Sequence, residues 1–174
     1  VTSAYTTGCT LFITTNSGNT FTADTCNTFN TSPYEWGIGT NSIQPILLGN
    51  SANANYSSIG GGFINNVTTG SNMSRVGGGM GNSILGDSIY SFIGGGLSNI
   101  ITNGSNSVNI LGGNTNIINL SAWSSIVGGM VNQIRGASNY STILGGLSNI
   151  ITGASFSAII NGSDNKVLAG HNGS

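Results

Sequence analysis

From Tyr56 onward one unit recurs every 16 or 17 residues, and no other feature of the chain restricts its fold as much. Aligned on a branched residue, the copies carry Ile59, Val76, Ile93, Ile110, Ile126, Ile143 and Ile159, at spacings of 17, 17, 17, 16, 17 and 16. Six residues after each stands an asparagine: Asn65, Asn82, Asn99, Asn116, Asn132, Asn149 and Asn165. Two further on comes a second branched aliphatic: Val67, Ile84, Ile101, Ile118, Ile134, Ile151 and Val167. Two residues before the first aliphatic lies a serine in six of seven copies, Val108 being the exception. Before that position sits a large side chain: Tyr56, Met73, Tyr90, Trp123, Tyr140 or Phe156. A short, fixed period means that one small unit is stacked on copies of itself.

The unit, aromatic-Ser-x-Ile-x-Gly-Gly-x-x-Asn-x-Ile followed by a Gly/Ser-rich turn, contains no helix-period stripe. It contains two β-branched runs of about four residues separated by glycine turns, which reads as two short strands. With 29 Gly but only 2 Pro in 174 residues, neither a collagen triplet nor a Pro/Gly linker fits. The chain is mildly apolar and its net charge is −1, whereas disordered chains combine low hydrophobicity with high charge. The expected fold class is therefore all-β: a β-solenoid of about seven 16–17-residue coils over 51–174, preceded by a β-rich cap or linker region over 1–50. Stacked at an interstrand spacing of ~4.8 Å, seven coils make a rod roughly 34 Å long.

Each column then has a structural reading. The two aliphatic columns form inward ladders, the glycines take turn conformations closed to other residues, and the asparagines bond to their neighbours above and below. Strand parity adds a further expectation. If Ser and Ile share the inner face of the first strand, the outer face takes the aromatic, the x position and the residue after Ile, as in Tyr140/Thr142/Leu144 and Trp123/Ser125/Val127. That outer face is apolar too, and a sheet apolar on both faces is buried on both. The expected partner is self, in a parallel homo-oligomer with Tyr56, Tyr90, Trp123, Tyr140 and Phe156 as interface candidates.

The units Tyr56-Ser-Ser-Ile-Gly-Gly-Gly and Tyr140-Ser-Thr-Ile-Leu-Gly-Gly-Leu-Ser-Asn resemble the YSTIGGG-type repeats of fibre proteins in bacteriophages and large viruses. More distantly they are similar to the head repeats of trimeric autotransporter adhesins. The resemblance runs from residue 56 to about 170, with Val108 and Asn161-Gly162 departing from the pattern. It implies a parallel homotrimer in the shaft or tip of an attachment fibre, at a virion surface or otherwise extracellular, with a host-surface glycan or protein as a further partner.

Ahead of the repeat, Cys9-Thr-Leu-Phe-Ile and Thr20-Phe-Thr-Ala-Asp-Thr-Cys26 flank Asn16-Ser-Gly-Asn19 and read as a hairpin. With Ser17-Gly18 as the turn, Cys9 faces Cys26 in a non-hydrogen-bonded pair, within disulfide range. A disulfide suggests an oxidising exterior; the alternative is a pair of small buried thiols. Residues 27 to 45 read as an irregular linker, and residues 1 to 50 can cap the first coil. Nothing after Lys166 can cap the last, so either the chain continues or the open end meets another subunit.

Chemistry is sparse. Charged residues make up 4% of the chain, with Lys+Arg 3, Asp+Glu 4 and His 1 to supply every catalytic role. No catalytic, cofactor-binding or metal-binding residues are expected, and three basic residues make no nucleic-acid surface. The glycine runs lack the third glycine and the Lys-Ser/Thr of phosphate loops. Asp87 and Asp164 fall about five coils apart, too far for a carboxylate pair within one chain. His171 sits in a Gly/Asn-rich tail. No apolar run is long enough for membrane insertion, and there is no basic-then-apolar leader at the start. Nine Asn-x-Ser/Thr sequons arise from composition.

Three functions compete: a trimeric viral fibre segment for host attachment, a self-assembling extracellular filament subunit, and an ice-binding solenoid. The last needs a flat outward rank of Thr, whereas Thr68, Thr102, Thr142 and Thr152 are scattered.

Overall fold

A computed structural model describes residues 49–170 in full and, before them, the backbone of five strands. These are β1 (Ser3–Thr7), β2 (Thr10–Thr14), β3 (Thr20–Asp24), β4 (Trp36–Gly39) and β5 (Ser42–Pro45). The described residues contain no helix. They form a β-solenoid of about seven coils, as the period demands.

Each coil contributes one strand to each of two parallel sheets. The first sheet runs from Ser58–Ile59 through Arg75–Val76 to Ala158–Ile159, and the second from Ser51–Ala52 through Asn66–Val67 to Lys166–Val167. Register follows the alignment: Ile93 pairs with Val76 and Ile110, and Ile101 with Ile84 and Ile118. A third ladder, one residue wide, links Phe63, Met80, Leu97, Asn114, Met130, Leu147 and Ser163.

Strands are two or three residues long, not four, because positive-φ residues close them at both ends. One such column is Gly62, Gly79, Gly96, Gly113, Gly129, Gly146 and Gly162. The aromatic column is another: Tyr56, Tyr90, Trp123, Tyr140 and Phe156 all have φ between 50 and 57. These side chains therefore stand on a left-handed corner and not on the strand where alternation puts them. A left-handed conformation costs an L-residue roughly 1–2 kcal/mol. From Met73 onward an inter-coil hydrogen bond helps to hold the corner, as in Tyr140 N–H to Ala122 O at 3.1 Å and Phe156 N–H to Asn139 O at 2.9 Å.

The core is narrow and half polar. In the sixth coil Ser138, Ser141, Ile143, Asn149 and Ile151 all point inward and are fully buried. Two aliphatics per coil form the expected ladders. The asparagine ladder is also as expected, with more bonds than its neighbours above and below account for. Asn99 N–H and Nδ2 donate to Asn82 Oδ1, at 3.0 and 3.1 Å. Its Nδ2 also reaches Gly95 O at 2.9 Å and Gly113 O at 3.0 Å, while its Oδ1 accepts Asn116 N–H at 3.0 Å. Such full satisfaction is what allows an amide to be buried at all.

The ladder begins one coil earlier than the repeat alignment. Asn50 Oδ1 accepts from Asn65 N–H at 2.9 Å, and the signal was present in Asn50-Ser51-Ala52, an Asn-x-Ala version of Asn-x-Ile. A second buried serine column was also missed: Ser71, Ser88, Ser105, Ser121 and Ser138, with Ala54 and Ala154 at its ends. Each hydroxyl accepts an N–H from the next coil, and those of Ser88, Ser105, Ser121 and Ser138 donate to a carbonyl of their own coil. Ser105 N–H bonds Ser88 Oγ at 3.2 Å, for example, and Ser88 Oγ bonds Leu85 O at 2.8 Å.

The chain before the coils differs from the linker expected over 27–45. β4 and β5 pair as an antiparallel hairpin, and β5 joins the first sheet through Ile43 opposite Ser58. The edge of that sheet therefore ends in an antiparallel strand. β1, β2 and β3 form a separate antiparallel sheet. The β2–β3 hairpin is present, but Thr10 opposes Asp24, so partners sum to 34 where a Ser17-Gly18 turn requires 35. Five residues, 15–19, separate the strands. Cys9 and Cys26, and with them the expected disulfide, lie outside the described residues.

Candidate interaction surface

Two apolar ladders run along the outside of the coils, one on each border of the first sheet. The first is the aromatic column, on the turn that leads from the second sheet back to the first. Tyr56, Trp123 and Phe156 are 70%, 57% and 64% exposed. Where successive coils all carry rings, the rings stack: Trp123 on Tyr140 and Tyr140 on Phe156, each with centroids 5.0 Å apart and planes within 5°. This spacing is the coil step itself, since the same backbone corner recurs at the inter-strand distance.

The second ladder lies on the turn from the first sheet to the second and comprises the one-residue bridges. Phe63, Met80, Leu97, Met130 and Leu147 are all exposed. Beside them Leu111, Val127, Leu144 and Ile160, the residues after the inner Ile, also face solvent. The outward, apolar placement of that last group agrees with strand alternation. The bridge column did not register in the sequence because the alternation breaks at the glycine corner in between.

Both ladders are interrupted in the same coil. Ser107 replaces an aromatic in the first, and Asn114 a Met or Leu in the second. At both positions the side chain is half-buried.

Charged groups are few on this surface. Arg75 Nε donates to Ser58 Oγ at 3.1 Å, and Arg135 to Gln133 Oε1 at 3.1 Å. Asp87 and Asp164 occupy separate left-handed corners. Among the described residues no three His, Cys, Asp or Glu side chains lie together, and no helix is long and apolar enough to cross a membrane. His171 lies outside the described residues.

Thr102 and Thr152 do share one outward column, but Asn119 and Arg135 stand between them. An interrupted rank of this kind is not the flat threonine surface an ice-binding reading requires. What the molecule offers a partner is thus a rod with two seams, one mainly of rings and one mainly aliphatic, each stepping once per coil. No family model, no curated protein and no solved structure matches this chain, so its function has to be argued from those seams.

Proposed function

We infer that the chain is a structural fibre segment that works as a parallel homo-oligomer, a trimer, on a virion or other extracellular surface, where it presents polar ladders to a host. A β-solenoid repeat protein is by itself a mechanical element, since each coil contacts only its neighbours. The single observation that carries the finer reading is the exposure of the two apolar ladders along the rod. Monomers rarely leave contiguous apolar strips of this kind uncovered. The antiparallel β4 strand at the edge of the first sheet favours lateral association over end-to-end filament growth, because a coil added there could not continue the parallel stacking of that sheet.

Light scattering of the soluble protein is expected to give three times the chain mass; a single chain mass with intact β circular dichroism would sink the reading. Two substitutions separate assembly from folding. Tyr140→Asp, on the exposed ladder, should lower the assembled mass and leave the β spectrum in place. Ile143→Asp buries a carboxylate in a site with no exposure and should abolish the coil itself.

A further inference from the structure

The position of the polar break is the same in both apolar ladders, and this says how copies meet. Read coil by coil, the first ladder runs Tyr56, Met73, Tyr90, Ser107, Trp123, Tyr140, Phe156. The second runs Phe63, Met80, Leu97, Asn114, Met130, Leu147, Ser163. Apolar answers apolar in every coil but the fourth and the last, and in the fourth polar answers polar.

The geometry points to a heterologous contact: the aromatic ladder of one copy packs, parallel and in register, against the bridge ladder of the next. The inference rests on the oligomer reading above and specifies its interface. Three features support it. The ladders have one repeat because they belong to one stack of coils, so a parallel copy matches step for step along the rod. The ladders differ in shape: flat rings on one border, and mostly flexible Met and Leu side chains on the other that can pack against ring edges. Finally, a slip by one coil would set Ser107 against Leu97 or Met130 and Asn114 against Tyr90 or Trp123. Each would bury a polar group against an apolar one, a penalty that specifies register in the way a single buried polar residue does in a coiled coil. A contact between two different borders of the same chain closes into a ring if the rotation allows and otherwise continues as a lateral sheet.

The test replaces Trp123 by the photo-reactive ring p-benzoylphenylalanine, which sits on the same corner and attacks nearby C–H bonds, those of methionine above all. On irradiation of the full chain, a cross-linked dimer is expected on a denaturing gel, with attachment mapped to Met130 of the other copy. Attachment to Tyr140 or Phe156 of another copy would mean that like ladders meet, and overturns the proposal. So does an assembly of oligomeric mass that yields no inter-chain product. Attachment at Leu97 or Leu147 gives the wrong register and overturns it as well.

A second measurement addresses the register mark. In the double variant Ser107→Leu with Asn114→Leu, attachment should spread over several coils while circular dichroism is retained; attachment confined to Met130 would show that the polar pair does not set register. A monomeric mass for the parent protein is a separate outcome: it removes the oligomer reading itself, and this interface with it.

Discussion

Replacing Asn99 by Ala is expected to destabilise the rod by about 3 kcal/mol, and replacing it by Asp by more. The alanine variant strips the partner from the buried Asn116 N–H and the part-buried Gly95 O, while Gly113 O keeps the N–H of Leu97. Each orphaned buried group costs roughly 1–3 kcal/mol. The aspartate is nearly isosteric and can still accept from Asn116 N–H. However, it has no donor for Gly95 O, Gly113 O or Asn82 Oδ1, and it puts a charge where the native side chain is fully buried. The order of severity, Asp worse than Ala, therefore distinguishes this hydrogen-bond account from one based on size. Urea unfolding followed at the β circular dichroism band checks it. An Asp variant as stable as the parent would mean that the amide donors contribute nothing.

Gly113→Ala should be as damaging, and Gly112→Ala close to silent. Gly113 has φ +93, and a Cβ there would run into Gly129 O in the next coil and crowd Asn116 Nδ2. The left-handed backbone penalty is about 1–2 kcal/mol before the clash is counted. Around Gly112 a Cβ meets nothing within 4 Å. The chain carries its own control, because the seventh copy reads Asn161-Gly162: the open position has accepted a side chain and the closed one has not. Gly112→Ala should stay within about 0.5 kcal/mol of the parent. Melting temperatures of the two single variants decide the matter, and equal losses would refute the assignment of different roles to the two glycines.

The glycine pair also shows how far the sequence can be read. Columns that a side chain's chemistry imposes were legible: inward Ile and Val and the bonded asparagines; of the glycine pair, expected closed throughout, only the second is closed, while Gly112, Gly128 and Gly145 are open. What escaped was set by the backbone of neighbouring coils. Tyr140 and Trp123 have no intrinsic taste for a left-handed corner, so strand alternation put them on the strand; the corner is held by an N–H reaching the preceding coil. The Ser71 column was hidden because its end members are Ala54 and Ala154, and because serine is equally at home in an outward turn. β4 and β5 contain Gly37, Gly39 and Pro45, residues that argue against strands; the glycines lie in β4, the edge of the sheet, and Pro45 is the last residue of β5, two beyond Ile43, the residue paired with the first coil. The β2–β3 register moved by one residue because Asn and Gly mark a turn without fixing its length.

Each coil passes to the next the same set of donors and acceptors that it received: Asn82 to Asn99 to Asn116, and Ser88 to Ser105 to Ser121. For a gene this makes rod length a countable trait. Duplicating or deleting one whole unit leaves every interior bond with a partner and changes the length by ~4.8 Å, whereas a change of half a unit puts the coil in which it falls out of register with both neighbours and severs the bonds there. Recombination between such similar units is therefore an easy route to longer and shorter rods. Under the interface proposed above, the exception is the unit that carries Ser107 and Asn114: doubling it would give the rod two marks where it now has one, and copies of unequal ancestry would no longer know where to align.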